Sequence, residues 1–256
     1  MNLFVGIVTC NKNLSKIDYL RKTWVKKLIS NNINYKFFVG RGSTSILPDD
    51  VVALDVEDDY ESLKQKTIGI IDYAIKNYNF DYLLKVDDDT FIDVDNLIKI
   101  DFNNKDYIGW FSCLKTHKRL LKNYIDYMTK RKLRKNLDHS YIDKINFDLT
   151  YAIGGYYLLN KRIAPLVLQT LSNNSLCNEI LQEDISTGYA CNLINASTMD
   201  FYKKINWYQV SNNNTFYHPI NFMLMQELSD SKDFEERKKI LEANIILNNY
   251  YRFRLQ

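Results

Sequence analysis

The sequence is poor in the residues that interrupt chains. It has only 8 glycines and 3 prolines in 256 residues, which leaves little room for low-complexity linkers and excludes a collagen-like fibre. There are 4 cysteines, Cys10, Cys113, Cys177 and Cys191, and none forms a Cys-x-x-Cys pair. A zinc knuckle is thereby excluded. Free, partly buried thiols are expected, with a Cys177–Cys191 bridge as the alternative in an oxidising compartment. No apolar run approaches the roughly 18 residues of a membrane span. Leu3 to Val8 is too short for a signal core and no basic segment precedes it. A cytoplasmic or otherwise soluble protein is expected. The net charge of +3 is too small to imply a nucleic-acid partner by itself.

What is present is enough apolar material for a substantial core: hydrophobic residues make up 46% and charged residues 25%, which rules out whole-chain disorder. Aromatics reach 14%. That suits a cleft that stacks bases or sugars, but an Asn-, Lys-, Ile- and Tyr-rich chain reads first as the product of a nucleotide-biased genome. We expect one domain over residues 1–256.

Hydrophobic periodicity predicts alternating strands and helices. Leu3–Thr9 reads as a buried parallel strand. Ser15 to Asp18 resembles a capping box, with Ile17, Leu20, Trp24 and Leu28 following at helical spacing. Strands are predicted over Tyr35–Val39, Val51–Val56, Tyr82–Val86 and Tyr107–Phe111. Helices are predicted over Glu61–Tyr78, Lys161–Leu171, from about Glu183, and over about 232–247. Tyr151–Asn160 is apolar and punctuated by glycine. The alternation implies an α/β fold with a mostly parallel sheet and helices on both faces. In such sheets ligands bind beyond the carboxyl ends of the strands.

Residues 114–135 stand apart. Nine Lys or Arg face a single acid, Asp126, a local charge of +8 that leaves −5 for the rest of a chain whose net charge is +3. This segment reads as a solvated helix face, or as a surface attracting an anionic acceptor, nucleic acid or lipid headgroups.

The fourth predicted strand runs into Asp87-Asp88-Asp89. Adjacent carboxylates raise one another's pKa unless a cation sits among them. Oxygen-only ligands suit a hard ion, manganese or magnesium, which would also bind substrate phosphate oxygens. On these residues alone a solvated acidic turn, or aspartates capping the next helix, fits equally well.

Six ordered segments resemble the beta-1,3-galactosyltransferase and Fringe-type glycosyltransferases of family 31. They are Arg21-Lys-Thr-Trp24, Phe37-Phe-Val-Gly40, Tyr60-Glu-Ser-Leu-Lys-Gln-Lys-Thr67, Leu84-Lys-Val-Asp-Asp-Asp-Thr-Phe91, Tyr151-Ala-Ile-Gly-Gly-Tyr156 and Glu183-Asp-Ile-Ser-Thr-Gly188. The resemblance spans roughly residues 3 to 220. It implies a GT-A fold, a Rossmann-like sheet that binds a UDP-sugar, and transfer to a hydroxyl of a glycan or glycoprotein with inversion. The donor sugar would be galactose, N-acetylglucosamine or glucose.

The resemblance also implies roles. Asp87 and Asp89 would be the ends of the metal motif, with Asp89 the direct ligand of Mn2+ or Mg2+, His218 completing the site and Asp88 facing the ribose. Asp184 would be the base that takes the acceptor proton, kept ionised by the helix dipole, with Glu183 the next candidate. Thr9 would approach the uracil or ribose. Lys66 would face the diphosphate unless it is an exposed helix lysine. Arg21 and Trp24 would either touch nucleotide or orient the first helix. Gly154 and Gly155 would admit the acceptor backbone-close unless they form a tight turn, and Trp110 and Tyr156 would stack on it.

Three features depart from the family, the first being that its second Gly-Gly-Gly-like stretch has only two glycines here. The first strand begins almost at Met1, so the family's usual Golgi anchor and stem are not expected; a Golgi lumen location would follow if an anchor had been removed. The 114–135 segment has no counterpart to carry over. Two other readings remain open: a GT-A protein that binds nucleotide sugar or glycan without turnover, and a magnesium-dependent phosphohydrolase. The dehalogenase-type pattern of the latter fails at Phe91.

Overall fold

The structure is a computed structural model of the chain; it describes residues 1–42, 46–115, 118, 122, 140–201 and 216–217. The chain divides into two compact units, each discontinuous in sequence. Of the described residues, Met1–Leu14, Ile33–Asp87 and Phe102–Phe201 make the first; Ser15–Asn32 and Asp88–Asp101, with Phe216–Tyr217, make the second.

The first unit is built on a seven-stranded sheet. Its strands are β1 (Leu3–Val8), β2 (Asn34–Val39), β3 (Val51–Ala53), β4 (Tyr82–Asp87), β6 (Tyr107–Cys113), β7 (Thr150–Asn160) and β8 (Thr198–Asp200), in the order β3-β2-β1-β4-β7-β6-β8. β1 to β4 and the β6–β8 pair are parallel, while β7 runs antiparallel to both neighbours. This is the mostly parallel sheet that was expected. All six residues of β1 are buried, as an apolar run in a covered parallel strand should be. Val8 pairs with Asp87, so β1 and β4 finish level at the carboxyl edge.

Helices α3 (Leu63–Asn77), α6 (Ala164–Asn173) and α8 (Glu183–Leu193) pack on one another and on the sheet. The core they close includes Phe4, Phe38, Ile70, Leu83, Tyr107 and Tyr157. α6 starts three residues later than expected because Pro165 occupies its first turn, where a missing N–H costs nothing. Sequence periodicity did not find the short helices α5 (Tyr141–Lys144) and α7 (Ser175–Glu179). α7 is capped by Asn174, whose side chain accepts from Cys177 N at 3.0 Å.

In the second unit the expected first helix is split into α1 (Ile17–Lys22) and α2 (Trp24–Ser30). Thr23 Oγ1 donates to Leu20 O at 3.1 Å, a local bond that competes with the helix ladder. Trp24 is 1% exposed, so it packs the helix pair rather than touching solvent. α4 (Val94–Leu97) is capped by Asp93 and tied to α2 by the Lys27–Asp95 ion pair. β5 (Phe91–Ile92) pairs with β9 (Phe216–Tyr217).

All four cysteines are free, as expected. Among the described residues no helix is long and apolar enough to cross a membrane. The helix expected at 232–247, and most of 114–135, lie outside the described residues. Of that basic segment, Lys118 and Lys122 both pair with Asp143, at 3.1 and 2.7 Å, and Lys115 pairs with Asp148 at 3.2 Å.

Candidate active site

Four sequence motifs of the first unit meet around one buried ammonium. Lys85, on β4, is 2% exposed. Its Nζ donates to Asp87 Oδ1 and to the Gly154 carbonyl, each at 2.6 Å, and lies 3.4 Å from Glu183 Oε2. The ring of Tyr157 lies under it, 5.6 Å from the centroid. Burial pushes the Lys85 pKa down, but the charges of Asp87 and Glu183 and their hydrogen bonds outweigh it and raise it above the ordinary value. Lys85 therefore stays charged.

Glu183 opens α8 and is 6% exposed. Its Oε1 accepts from Tyr157 Oη, from Thr67 Oγ1 at 3.1 Å and from Thr187 Oγ1 at 3.3 Å. A carboxylate with both oxygens engaged and a buried counter-ion is poorly placed to take a substrate proton. Tyr157 serves as its donor, since burial and then the Glu183 charge push the phenol well above its usual range.

Asp184 is different. It is half-buried, and its Oδ1 accepts from Ile185 N at 2.8 Å. The Gly154 N–H also donates to it. Burial, then the neighbouring Glu183 charge, push its pKa up to about 7 against these hydrogen bonds and Lys85. The expectation that the helix dipole keeps Asp184 fully ionised is thus corrected: desolvation and a like charge win over one helix terminus. A carboxyl near 7 is what a general base at neutral pH requires.

Gly154 can serve both neighbours because β7 leaves its ladder there. Pairing steps from Gly109↔Tyr157 to Phe111↔Ala152. Ile153 to Tyr156 are therefore set against Trp110 alone on that side. Such a bulge turns peptide groups out of the ladder and re-aims side chains. The freed Gly154 peptide gives its carbonyl to Lys85 and its N–H to Asp184. A Cβ at Gly154 would sit 3.4 Å from Asp184 Cβ and 3.6 Å from its Oδ2. The Gly-Gly pair is thus a bulge beside the carboxylate. Trp110 is half-buried at the same irregularity. Tyr156 is only 4% exposed; its ring is in the core, so it offers no face for an acceptor sugar, correcting that expectation.

At the ends of β1 and β2 a second buried ion pair organises the edge. Lys66 Nζ donates to Asp58 Oδ1 at 2.5 Å and to Thr9 O at 3.0 Å. Asp58 also accepts from Gly40 N at 2.7 Å and from Asn11 N at 2.5 Å. Burial pushes the Asp58 carboxyl up, but these hydrogen bonds and the Lys66 charge together hold it below its usual value. Lys66 is neither an exposed helix lysine nor aimed at a diphosphate; both expectations are corrected, because its ammonium is committed to two protein oxygens. Thr9 is 5% exposed, its N–H tied to Phe38 O at 3.0 Å.

The other expected site residues are placed as follows. Asp87 is the last residue of β4 and its side chain is 29% exposed. Asp88 and Asp89 follow it directly and begin a segment of the second unit, where both are half-buried. Arg21 is in that unit too, paired with Asp18 at 2.7 Å. His218 lies outside the described residues. Among the described residues no group of three or more His, Cys, Asp or Glu is gathered as a metal cage. A cleft of about 460 Å³ lies along β3 and α3, lined by Val52, Leu54, Ile68 and Tyr73 among others, and takes in none of these residues.

The sequence profile of the galactosyltransferase family matches residues 16–201. The chain belongs to the galactosyltransferase family. Relatives include hydroxyproline O-galactosyltransferase GALT2 of Arabidopsis thaliana, 31% identical over 109 residues, 38% of this chain and 16% of that protein. GALT6 of the same plant is 23% identical over 205 residues, 73% of this chain and 28% of that protein. The chain therefore spans less than a third of the length of either. A UDP-GalNAc:beta-1,3-N-acetylgalactosaminyltransferase 2 of Xenopus laevis is 37% identical over 51 residues, 20% of this chain and 10% of that protein. Among solved structures, a glycosyltransferase involved in glycosylating the major capsid of PBCV-1 aligns with a TM-score of 0.45 at 11% identity, covering 79% of this chain and 82% of that one.

For a galactosyltransferase-family chain, the sequence reading missed who works with whom. Lys85, Thr67 and Glu183 were quoted in three separate motifs, yet they form one network. Lys64, in the same motif as Lys66, is 3% exposed and donates to the carbonyls of Cys177, Asn178 and Ile180 at 2.7, 3.1 and 3.0 Å. It thereby satisfies the end of α7. The available signal was two lysines, Lys64 and Lys66, on the apolar side of α3.

Proposed function

We propose that this chain is an inverting, metal-dependent glycosyltransferase that moves a sugar from a UDP-sugar to a hydroxyl of a glycan or glycoprotein, leaving a β linkage. The observation that carries this reading is Asp184. It is a half-buried carboxyl at the start of α8, held by the Gly154 and Ile185 N–H groups, with a pKa of about 7.

In its ionised form Asp184 accepts the proton of the acceptor hydroxyl. The acceptor oxygen attacks the anomeric carbon from the face opposite the nucleotide. The new C–O bond forms as the bond to the diphosphate oxygen breaks, the electron pair leaves with UDP, and the configuration inverts. No second carboxylate has to protonate the leaving group, unlike a glycosidase. The Gly154 and Ile185 N–H groups fix the direction of the carboxylate, and Glu183, engaged with Lys85, stays out of the proton transfer.

The donor set at the strand end fits Mn2+ or Mg2+. It is all carboxylate oxygen, and such ions are held by one or two carboxylates plus substrate phosphates rather than by a full protein cage. Asp87 and Asp89 would hold the ion, with His218 as a further ligand; when bound, the metal supplies positive charge to the leaving diphosphate. Asp88, Thr9 and Arg21 are assigned to the nucleotide side. Lys66 acts there indirectly, by holding the β1 and β2 ends. Trp110, Gly154 and Gly155 are assigned to the acceptor side. The 114–135 segment is assigned to an anionic part of the acceptor or a surface.

The test is release of UDP from a panel of UDP-sugars, UDP-galactose first, with and without acceptor and with and without EDTA. Acceptor-stimulated, EDTA-sensitive release is expected, with a β anomer in the product by NMR coupling. Binding without release would leave a nucleotide-sugar or glycan binder, and an α anomer would exclude single displacement.

A further inference from the structure

Glu183 and Lys85 are the most deeply buried charged pair next to the proposed base, and the transfer step uses neither directly. Two of the contacts Lys85 makes are to groups the step does use. Lys85 holds Asp87, the last residue of β4, and the Gly154 carbonyl, whose own N–H directs Asp184. Glu183 is covalently next to Asp184 and is locked from three sides: by Thr67 of α3, Tyr157 of β7 and Thr187 one turn along α8. We propose that Glu183 is a positioning residue: with Lys85 as its buried counter-ion, it fixes the first turn of α8, and so the Asp184 carboxylate, against the strand end that carries Asp87. This rests on Asp184 being the base of the proposed transfer.

The arrangement has an electrostatic signature that mere packing lacks. Glu183 faces Asp184 from its own helix and Lys85 from β4. The phenols of Tyr151 on β7 and Tyr107 on β6 are further titratable neighbours among the described residues, and both stay protonated because burial pushes their pKa values up. The negative neighbour makes Asp184 harder to ionise and the positive one makes it easier. Removing them in turn must therefore move Asp184 in a fixed order.

The test uses Glu183→Gln and the double variant Glu183→Gln/Lys85→Met, each with and without Asp184→Asn, beside the wild type. The first readout needs no activity. In EDTA, thermal unfolding is followed from pH 4 to 9, and the effect of Asp184→Asn on the midpoint is plotted against pH. The effect should grow from about pH 4 in all three backgrounds and level off near pH 7 in the wild type, roughly one pH unit lower in Glu183→Gln, and in between in the double variant. The same levelling-off pH in all three would overturn the proposal.

The second readout is transfer at pH 8.5. There Glu183→Gln and the double variant should lose about tenfold or more in kcat, with KM for the UDP-sugar within about twofold of wild type. Unchanged kcat would also overturn it. Should Glu183→Gln fail to fold because Lys85 is left half-paired, the double variant, which removes both charges, carries the same two comparisons. If even the wild type transfers no sugar, the transferase reading fails, while the order of the levelling-off points still decides whether Glu183 and Lys85 tune Asp184.

Discussion

Replacing the proposed base should kill turnover and stabilise the protein at once. The Asp184 carboxyl has a pKa of about 7 in the folded chain against an ordinary value of 3.8. One pKa unit corresponds to about 1.36 kcal/mol, so three units correspond to about 4 kcal/mol. Because the folded pKa is raised, the favourable contribution is complete below about pH 4, where the carboxyl is neutral in both states. It is lost as pH rises from about 4 through 7, and above 7 the folded state carries a desolvated charge.

Asp184→Asn removes that titration. It keeps one acceptor oxygen for Ile185 N and gives up about 1 kcal/mol for the weakened second hydrogen bond. At pH 8.5 the variant should be more stable by about 3 kcal/mol, a midpoint rise of roughly 6–12 °C for a chain of this size. At pH 4 it should match the wild type to within about 1 kcal/mol. Calorimetry or circular dichroism melts in EDTA at the two pH values measure this. Turnover should fall roughly 10²- to 10⁴-fold, with UDP-sugar affinity little changed. In the wild type, kcat/KM should rise with pH to a plateau above about 7. A variant no more stable than wild type at pH 8.5 would refute the electrostatic reasoning, and near-normal turnover would refute the assignment of the base.

Three further outcomes are expected. Asp89→Ala should leave the circular dichroism spectrum intact and weaken Mn2+-dependent UDP binding by at least about tenfold; calorimetric titration of UDP with and without the ion reads it, and undiminished binding would mean the metal is held elsewhere. Lys66→Met strands Asp58 among the Gly40 and Asn11 N–H groups without its cation, which should cost about 3–5 kcal/mol. Because the Asp58 pKa is depressed, that loss should be fully present at pH 7 and shrink as pH falls below about 4, by urea melts at the two pH values. Gly188→Ala would set a Cβ 2.3 Å from Tyr151 Cβ and 2.8 Å from its Cα; a backbone neighbour cannot simply rotate away, so at least about 1–3 kcal/mol of destabilisation is expected, and a melt unchanged within error would show that α8 stands off from β7.

The sheet was legible in the sequence where its strands are buried on both faces. β1, β2, β4 and β6 were all recognisable because their apolar runs need no partner information to be seen. β7 was harder: Gly154 and Gly155 break its apolar run, and it takes its place only through pairing with β4 and β6, far away in sequence. β3 ends at Ala53, short of the predicted Val56, because Val56 N turns back to Leu54 O at 2.8 Å. At the site, composition and motif were enough to single out Asp184, Gly154 and the aspartate triplet. The roles of Lys66 and Tyr156 were misjudged for one reason: a sequence does not say how deep a polar side chain is set. Lysine reads as exposed by default, and only the tertiary structure reveals the Asp58 and Thr9 oxygens waiting for it.

The buried lysines bear on how this chain is made. Lys64 meets its carbonyl partners 113 to 116 positions later, and Lys85 meets Gly154 69 positions later. A ribosome delivers β1, β2, α3 and β4 long before either set of partners exists. Native docking of α3 and β4 at that moment would seal the Lys64 ammonium away from water with nothing to bind and leave Lys85 with Asp87 alone, which is strongly unfavourable. The amino-terminal half should therefore stay loosely assembled, its lysines hydrated, until β7 and then α7 and α8 emerge. Fragments ending before about residue 180 should be protease-sensitive in pulse-labelled translation, and resistance should appear in one late step rather than strand by strand.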